Sequence, residues 1–507
     1  MSTLERASGL LMHPTSLPSP FGIGDLGKVA YAWIDFLAAS QQTVWQILPL
    51  GPTGYGDSPY QTSSVFAGNP LLIDPVRLFE KGYLSEAELN NWPQFPEERV
   101  DYAEVINWKI PLLLKAAGRF VEKASPEDRS AYASFCDTHN DRWLNEFALF
   151  MAIKYDQGQQ CWNSWPEPLK LRNPQALEEA RQKLSGEISA HKFLQFCFFE
   201  QWASLRRYAR EKGVQIMGDI PIYTTYDSAE VWSDQELFYL DKNGDPTVVA
   251  GVPPDYFSKT GQLWGNPIYR WDKMAKRGFQ WWIERVRINM DLVDLVRIDH
   301  FRGFEAYWAV PYGDPTAEHG TWKKGPGKKF FSTLLNALGE VPIIAEDLGF
   351  ITPEVRELRE SFGFPGMKIL QFAWGAGPAD PFLPHNYDPN CVAYTGSHDN
   401  DTTLGWYATA PDHERRYLHD YLGYPTDDIA GALIRLAMTS TARLAIIPTQ
   451  DLLRLGGEAR MNFPGRAEGN WSWRLRPNQL NDDHLGYLRH LSGISNRVPK
   501  SPDEESA

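Results

Sequence analysis

The segment LVRIDHF, residues 295–301, runs from an apolar stretch into a carboxylate and decides the fold of this chain. Two other segments have the same form, VPIIAEDLG at 341–349 and CVAYTGSHDND at 391–401. Each is typical of a buried strand with an acid at its C-terminal end, respectively Asp299, Glu346 and Asp399. Successive acids are separated by roughly one βα unit, and a parallel barrel gathers such strand ends on one face. The sequence therefore predicts three carboxylates at the active-site face of a barrel.

Eight apolar runs recur along the chain and predict the strands of a parallel sheet. They are GLLMHP (9–14), TVWQILPL (43–50), VQIMGDIPIY (214–223), LVRIDHF (295–301), VPIIAEDLG (341–349), GMKILQF (366–372), CVAYTG (391–396) and ARLAIIPTQ (442–450). Continuous rather than alternating apolar residues are typical of strands covered on both faces. Amphipathic helical spacing between the runs, as at Val29, Trp33 and Leu37, supports helices between the strands. The pattern predicts an α/β fold, a (β/α)8 TIM barrel.

Two long connections interrupt this barrel, which we expect to form one catalytic domain over residues 1–507. The first, residues 51–213, is far longer than a crossover needs and contains helical segments such as WLNEFALFMAIKYD at 143–156. We expect a mostly helical insertion subdomain there, and a smaller loop or insertion subdomain over residues 224–275. Both follow strands at their C-terminal ends and would wall the active-site face. The polar tail at 499–507 is expected to fray.

Composition excludes several classes of protein. The net charge of −14 argues against nucleic acid as the main partner, because phosphate binding relies on clustered Lys and Arg. No apolar run reaches about 18 residues, so we expect no membrane association. The N-terminal residues do not have the pattern of a secretory signal, so we expect a cytoplasmic protein. We also expect a monomer or a weak homodimer. Four widely spaced cysteines without a CxxC pair are typical of buried reduced thiols.

The carboxylate in LVRIDHF has an arginine on the same predicted strand face. Alternation puts Arg297 beside Asp299, and an adjacent guanidinium lowers the pKa of a carboxyl group. An aspartate that stays ionised suits a nucleophile, although a structural Arg–Asp pair would have the same pattern. Glu346 follows an apolar run, where burial raises a carboxyl pKa and suits a general acid. Its neighbour Asp347 is a rival that alternation would aim in the opposite direction.

Further polar residues cluster at the same predicted face. His398 and Asp399 lie in a turn rich in Gly, Ser and Asn with Asp401 two residues on, a composition that an Asx-rich loop without chemistry would share. A metal site built from His300, His398 and nearby carboxylates is another interpretation, although the ligand arrangement of a zinc or facial-triad site is not evident. Asp219 could cap a loop or be a fourth acid at the barrel mouth. The residue pattern leaves these alternatives open.

Long polar and aromatic motifs make a family resemblance specific. The matching segments are HPTSLPSPFGIGDLG (13–27), LPLGPTGYGDSPYQTSSVFAGNPLLID (48–74), GDIPIY (218–223), VVAGVPPDYFSKTGQLWGNPIYRW (248–271), LVRIDHFRGFEAYW (295–308), AEDLG (345–349), YTGSHDNDTTLGW (394–406) and ARMNFPGRAEGNWSWRL (459–475). In these segments the chain resembles the 4-α-glucanotransferases of the amylomaltase, or disproportionating enzyme, family. This is glycoside hydrolase family 77, a relative of the α-amylases. The strand-end acids are shared with the wider α-amylase clan, whereas the Gly/Pro/Tyr and Trp loops single out this family.

The resemblance implies three catalytic roles and no metal or cofactor. Asp299 would be the nucleophile, Glu346 the general acid/base and Asp399 the transition-state stabiliser. Seven further residues match substrate-binding positions: Arg297, His398, Asp219, Tyr60, Trp264, Asn462 and Phe372. A retaining glycosidase uses one carboxyl to attack the sugar and a second, about 5–5.5 Å away, to protonate the leaving oxygen, which agrees with these roles.

Aromatic residues in the polar loops are expected to contact sugar. By the resemblance, Tyr60 stacks on the sugar at the cleavage site, Trp264 lies in a mobile loop over the cleft, and Asn462 lies in a second loop. Tyr55 and Tyr102 match a secondary glucan-binding site. Aromatic rings suit the flat apolar faces of glucose and leave its hydroxyls free to form hydrogen bonds. The alternative for Tyr60 and Trp264 is ordinary packing within the protein.

The implied activity is retaining transfer of α-1,4-glucan segments from a maltooligosaccharide, starch or glycogen fragment to the 4-hydroxyl of glucose or another glucan. An α-amylase-type hydrolase would use the same carboxylates with water as acceptor. A catalytically idle glucan-binding protein is a different class, against which the complete set of acids counts, and a metal-dependent barrel enzyme is a third. One departure from the family is AWGAG after Phe372, where relatives carry acidic residues, so we expect no polar contact from that loop.

Overall fold

The parallel sheet predicted from the sequence is the centre of the computed structural model, which describes residues 5–254, 258–466 and 468–499, apart from the side chain of Tyr55. Within these residues the strands are β1 (Ala7–Leu11), β2 (Val44–Gln46), β3 (Gln215–Ile220), β4 (Val248–Val252), β5 (Gln262–Pro267), β6 (Leu295–Ile298), β7 (Ala306–Pro311), β8 (Thr321–Lys324), β9 (Ile343–Ala345), β10 (Gly366–Ile369), β11 (Cys391–Tyr394) and β12 (Leu444–Pro448). Eight of them form one parallel sheet in the order β10-β11-β12-β1-β2-β3-β6-β9. The amide of Ala345 donates to Pro365 O at 2.9 Å and links the two edges. The predicted TIM barrel is confirmed.

Helices cover the barrel and fill its connections. In the described part of the chain they are α1 (Lys28–Ala39), α2 (Pro75–Glu80), α3 (Glu86–Leu89), α4 (Tyr102–Lys123), α5 (Pro126–His139), α6 (Asn145–Asp156), α7 (Glu167–Lys170), α8 (Pro174–Lys183), α9 (Ser185–Glu211), α10 (Ala229–Ser233), α11 (Trp271–Lys276), α12 (Gln280–Leu292), α13 (Gly327–Leu338), α14 (Pro353–Ser361), α15 (Thr403–Thr409), α16 (Asp412–Leu422), α17 (Ile429–Thr439), α18 (Thr449–Leu452) and α19 (Asp482–Ile494). Short 3-10 and π turns join several of them. The tail predicted to fray lies outside the described residues from position 500 onward.

The apolar strands are buried because helices pack on the outside of the barrel. All residues of β6 and β12 are buried. Large indoles fill the space between strands and helices, and their N–H groups find carbonyl partners there. Trp45 Nε1 donates to Met12 O at 2.7 Å, and Trp202 Nε1 on α9 donates to Leu292 O at 2.8 Å. The Trp45 ring also packs against Trp33 on α1 and Trp202 on α9, with 6.4 Å between centroids in each pair, which holds the barrel against its helical layer.

The long connection between β2 and β3 contains α2 to α9. Its last helix, α9, is part of the layer around the barrel, because Arg206 pairs with Asp294 at 2.9 Å immediately before β6. The Asp294 carboxylate also accepts from the Ile216 amide on β3. We therefore propose that the helical insertion subdomain expected over residues 51–213 ends before α9.

A second sheet, antiparallel and of four strands, lies beside the barrel in the order β5-β4-β7-β8. Strands β4 and β5 lie within the connection 224–275, but β7 and β8 follow β6 and were not expected from the sequence. All four residues of β8, TWKK, are exposed, and this polar composition does not resemble a buried strand. The sheet thus joins two connections that are distant in sequence.

Candidate active site

The acids predicted at the strand ends meet on one face of the barrel. Asp219 is the penultimate residue of β3, and Asp299, Glu346 and Asp399 follow β6, β9 and β11. The amide of Asp299 donates to Ile220 O at 3.0 Å, and that of Glu346 donates to Ile298 O at 3.0 Å. The parallel hydrogen bonding therefore continues past the strands and places the acids side by side.

Arg297 is the shared cation of this face. Its side chain is 3% exposed; Nη1 donates to Asp219 Oδ2 at 2.5 Å, and Nη2 lies 3.0 Å from Asp299 Oδ1. Burial opposes the charge of this guanidinium, but the two carboxylates outweigh burial and raise the pKa of Arg297 well above its usual range. The predicted pairing of Arg297 with Asp299 is present in the structure.

The direction of the Asp299 pKa differs from the sequence-based expectation. Burial raises the pKa of Asp299 to about 6 together with the charges of Asp219 and Asp399, against the opposing effects of Arg297 and His398. The expectation of a lowered pKa considered the arginine but not the neighbouring acids. Asp299 is consequently ionised only above mildly acidic pH.

Glu346 and Asp347 point to opposite sides of the strand end. Glu346 Oε2 accepts from the His300 amide at 2.7 Å, and Oε1 accepts from the Leu348 amide at 2.9 Å. Burial and the charge of Asp299 raise the pKa of Glu346 to about 8. Asp347 instead accepts from the Met367 amide at 2.8 Å, away from the other acids. The structure thereby separates the two rivals and makes Glu346 the acid of the cleft.

His300 has a backbone conformation that is rare for a side-chain-bearing residue. Its φ of 49° and ψ of 49° lie in the left-handed region. This conformation directs its amide to Glu346, and its ring lies edge-on to Trp264 with 4.7 Å between ring centroids. Such strain commonly occurs at functional sites.

Asp399 is held by three neighbours. Asn462 Nδ2 donates to Oδ1 at 2.6 Å, His398 Nε2 lies 3.3 Å from Oδ2, and Arg460 donates to the backbone carbonyl at 2.8 Å. Desolvation favours the neutral form, but His398 and Asn462 outweigh it and hold the pKa of Asp399 well below its usual range. The same ion pair raises the pKa of the buried His398, against the effect of burial. Asp399 is thus a permanent negative charge whose side chain is 45% exposed to the cleft.

Tyr60 connects two parts of the site. Its hydroxyl donates to Asp219 Oδ2 at 2.7 Å, and its ring stacks on His398 with 5.2 Å between centroids and 16° between planes. Asp219 is 4% exposed and serves as a fourth acid inside the barrel mouth, not as a loop cap. The contact between Tyr60 and Asp219, 159 positions apart, could not be derived from spacing.

Trp264 and Phe372 lie at the rim of the cleft. Trp264 belongs to β5 of the antiparallel sheet, whereas the resemblance suggested a loop. Phe372 is 42% exposed and contacts Phe382 edge-on at 5.6 Å between centroids. An exposed ring shortly after β10 can contact a sugar.

The two tyrosines matched to a secondary glucan site have different standing. Tyr102 is 7% exposed, and its hydroxyl donates to Trp471 O at 3.0 Å, so at most the edge of its ring can touch a sugar. The side chain of Tyr55 lies outside the described part of the chain. A secondary site at this place stays a prediction.

Residues that hold the site were missed by the sequence reasoning. Arg460 joins the segment around Asn462 to Asp399, since its Nε donates to Asn462 O at 2.7 Å. Asp451 is 1% exposed and accepts from Thr395 Oγ1 and from the Thr403 amide, on either side of the His398–Asp399 turn. The only available signal was an acid at the end of the eighth apolar run.

No metal centre emerges from the described residues, where no group of three or more His, Cys, Asp or Glu could hold an ion. The ring of His300 faces Trp264, and that of His398 faces Tyr60. The four cysteines are unbridged thiols. In the same part of the chain, no helix combines the length and apolar character needed to cross a membrane.

The site combines two carboxyl groups of raised pKa, a third fixed carboxylate and surrounding aromatic rings at the mouth of a barrel. This combination is typical of enzymes that act on glycosidic bonds. The family model described as 4-alpha-glucanotransferase, glycoside hydrolase family 77, matches residues 12–480. The chain belongs to this family, which confirms the resemblance carried by its motifs.

Known relatives are similar over their full length. The 4-alpha-glucanotransferase of Thermus thermophilus is 52% identical over 503 residues, which cover 98% of this chain and 100% of the relative. That of Synechocystis sp. is 50% identical, with 96% and 98% covered. The amylomaltase of Streptococcus agalactiae, solved in complex with acarbose, superposes with a TM-score of 0.94 at 41% identity and covers 98% of this chain and 100% of its own.

Proposed function

We propose that this protein is a 4-α-glucanotransferase. It moves α-1,4-glucan segments from maltooligosaccharides or from starch- or glycogen-type glucans to the 4-hydroxyl of glucose or another glucan. The observation that carries this proposal is the position of Asp299 and Glu346 at the ends of the paired strands β6 and β9, where burial raises the pKa of Asp299 to about 6 and that of Glu346 to about 8. At neutral pH one is ionised and the other protonated, as a retaining reaction needs.

The first step forms a glycosyl-enzyme. An Asp299 oxygen attacks C1 of the sugar at the cleavage site, and the bond from C1 to the glycosidic oxygen breaks. Glu346 gives its proton to that oxygen, so the departing chain leaves with a free 4-hydroxyl. The ion pair to Arg297 orients Asp299 for attack, since Arg297 is itself fixed by Asp219.

The second step transfers the segment. Glu346, now ionised, takes the proton from the 4-hydroxyl of the acceptor, whose oxygen attacks C1 and displaces Asp299. Two displacements leave the anomeric configuration unchanged. Asp299 loses its negative charge when the ester forms, which removes one cause of the raised Glu346 pKa, so the ionised Glu346 can act as the base of the second step.

Asp399 and Tyr60 act on the sugar itself. The permanently ionised Asp399 stabilises the positive charge that develops on the sugar in both transition states. Tyr60 offers a ring surface fixed by its bond to Asp219 and by the stacked His398, so little entropy is lost when a sugar binds. Trp264 and Asn462 would cover the cleft from two sides and favour a sugar acceptor over water.

Incubation with maltotriose tests this proposal against the rival activities. Glucose and longer maltooligosaccharides should appear with little rise in total reducing ends. A steady rise in reducing ends would assign the protein to the α-amylase-type hydrolases, and unchanged maltotriose would leave only glucan binding. Asp299→Asn is the matched control, and full activity in that folded variant would refute the nucleophile assignment.

Location and assembly are also part of the proposal. We infer a cytoplasmic enzyme that is a monomer or a weak homodimer and acts on intracellular maltooligosaccharides or glucan fragments. Cell fractionation and light scattering over a range of protein concentrations test these points.

A further inference from the structure

Two large aromatic side chains lie exposed beside the cleft and have no part in the mechanism above. Trp322 on β8 is 38% exposed, and Phe350, just beyond the Glu346 segment, is 68% exposed. We call these two rings, with the guanidinium of Arg302 between them, the aromatic platform. Single exposed rings are ordinary on a protein surface, whereas exposed apolar groups that lie together mark binding surfaces.

The platform is held rigid from below. Arg302 is 5% exposed; its guanidinium carbon lies 3.9 Å from the centroid of the Trp322 ring and 5.6 Å from that of Phe350. Its Nη1 donates to the backbone carbonyl of Phe350 at 2.5 Å. Trp308, directly opposite Trp322 in the sheet, packs on it at 5.2 Å between centroids. Arg302 and Trp308 thus hold the Trp322 ring, and Arg302 holds the Phe350 backbone, without covering either ring.

The platform is continuous with the catalytic face. Arg302 lies three positions after Asp299, in the turn Phe301–Phe304, and Phe350 lies four positions after Glu346. Four residues span at most about 14 Å, so the backbone of Phe350 lies within about that distance of Glu346, which is the length of a few sugars. The Lys324–Glu305 ion pair lies next to it on β8 and supplies polar groups at its edge.

We propose that Trp322 and Phe350 form a remote binding subsite for α-glucan chains longer than those that fill the cleft. This inference rests on the proposed function and deepens it. Fixed aromatic rings suit the apolar faces of glucose, and the neighbouring charges suit its hydroxyls. A glucan fits better than a second copy of this chain, because the exposed apolar surface consists of two rings set among charged groups and not of a broad hydrophobic face.

The test compares short and long substrates in Trp322→Ala and Phe350→Ala variants. The Phe350 substitution keeps the backbone carbonyl that holds Arg302, so it removes only the ring. We expect KM for amylose of about twenty or more units to rise about three- to tenfold, with kcat and the maltotriose constants unchanged. Tyr424→Ala, at a ring after α16 that is 49% exposed, between the two platform rings in exposure, is the matched control and should change nothing.

Three outcomes would overturn the subsite. If kcat/KM falls equally for maltotriose and amylose, the substitution has a structural effect on the cleft. If kcat/KM is unchanged for both substrates, the rings do not contact the glucan. A variant that only shifts a monomer–dimer equilibrium indicates self-association. Affinity electrophoresis in gels containing amylose, with Asp299→Asn as background, measures binding without turnover. The subsite can therefore fail or hold independently of the transferase activity, which wild-type protein and maltotriose report.

Discussion

At the scale of single residues, Arg297 determines how the acids share their charge. It contacts Asp219 and Asp299, and its positive charge opposes the burial that raises the pKa values of Asp299 and Glu346. The arrangement keeps Asp299 ionised and Glu346 protonated over the same range of pH.

The pH dependence of the rate follows from these two groups. Asp299 must be ionised, so kcat/KM should rise as pH increases through about 6. Glu346 must hold its proton, so kcat/KM should fall as pH increases through about 8. Initial rates of glucose release from maltotriose between pH 4 and 10 check this bell-shaped profile. A rate that stays constant through pH 9 would contradict the role of Glu346.

The proton of Glu346 matters only for poor leaving groups. Glu346→Gln should lower transfer from maltotriose by about 10²–10⁴-fold, because the departing oxygen receives no proton. Fluoride needs none, so the formation of the glycosyl-enzyme from α-glucosyl fluoride should be retained. Rapid-quench measurement of fluoride release separates the two. Equal losses with both donors would mean that the glutamine disturbs the site as a whole.

The raised pKa of Glu346, which serves catalysis, lowers the stability of the folded protein as pH rises. The folded protein keeps the Glu346 proton up to about pH 8, whereas an unfolded glutamate loses it near its usual value of 4.5. Between these values the native state binds more protons, so this group lowers the free energy of unfolding as pH rises. The unfolding temperature of Glu346→Gln, relative to that of the wild type, should therefore increase from pH 5 to pH 9. A constant difference would show that burial of Glu346 carries no stability cost.

At the scale of elements, the turn between β11 and α15 depends on a residue outside it. Asp451, on α18, bonds to Thr395 at the start of the turn and to Thr403 at its end. The turn carries His398 and Asp399. A buried carboxylate with several donors therefore fixes both catalytic-face side chains from behind.

Removal of this anchor should affect catalysis more than binding. Asp451→Ala leaves three buried donors without an acceptor, at about 1–3 kcal/mol each, and frees Asp399 to move. We expect kcat to fall about 10–100-fold with a smaller change in KM, and a lower unfolding temperature. Asp451→Asn keeps an acceptor for the Thr403 amide and should recover part of kcat. An unchanged kcat in a destabilised Asp451→Ala variant would assign this residue to folding alone.

The elements also show what the sequence could predict. The eight barrel strands are continuous apolar runs. Such runs can be recognised from the local sequence without knowing which strands pair, so all eight were predicted. The antiparallel sheet was not, because β8 is polar and exposed and β4 contains Gly251, whose place is set by contact with Gln262 on β5. For the site, acid positions followed from strand ends, whereas the Tyr60–Asp219 bond and the Asp299 pKa depend on groups brought together only by folding.

At the scale of the whole molecule, the barrel closes at the catalytic acid. Strands β9 and β10 are the edges of the sheet, and Asp347 bridges them by accepting from the Met367 amide and pairing with Arg359 at 3.2 Å. A Cβ at Gly366 would lie 2.2 Å from Arg359 Nη1 and 2.5 Å from Asp347 Oδ2, so the Asp347–Arg359 pair fits beside β10 because that position has no side chain. The acid beside Glu346 thus serves closure while Glu346 serves the cleft.

Loss of this closing pair should weaken the whole barrel. Asp347→Ala leaves the mostly buried Arg359 without its interior partner and the Met367 amide without an acceptor, so we expect a loss of about 3 kcal/mol of unfolding free energy. Thermal and urea unfolding followed by tryptophan fluorescence measure it. Glu360→Ala is the matched control, because Glu360 pairs with the same arginine at 3.0 Å from an exposed position and should cost less than about 0.5 kcal/mol. If the two variants unfold alike, closure of the barrel depends on the Ala345–Pro365 backbone bond and not on the acid beside Glu346.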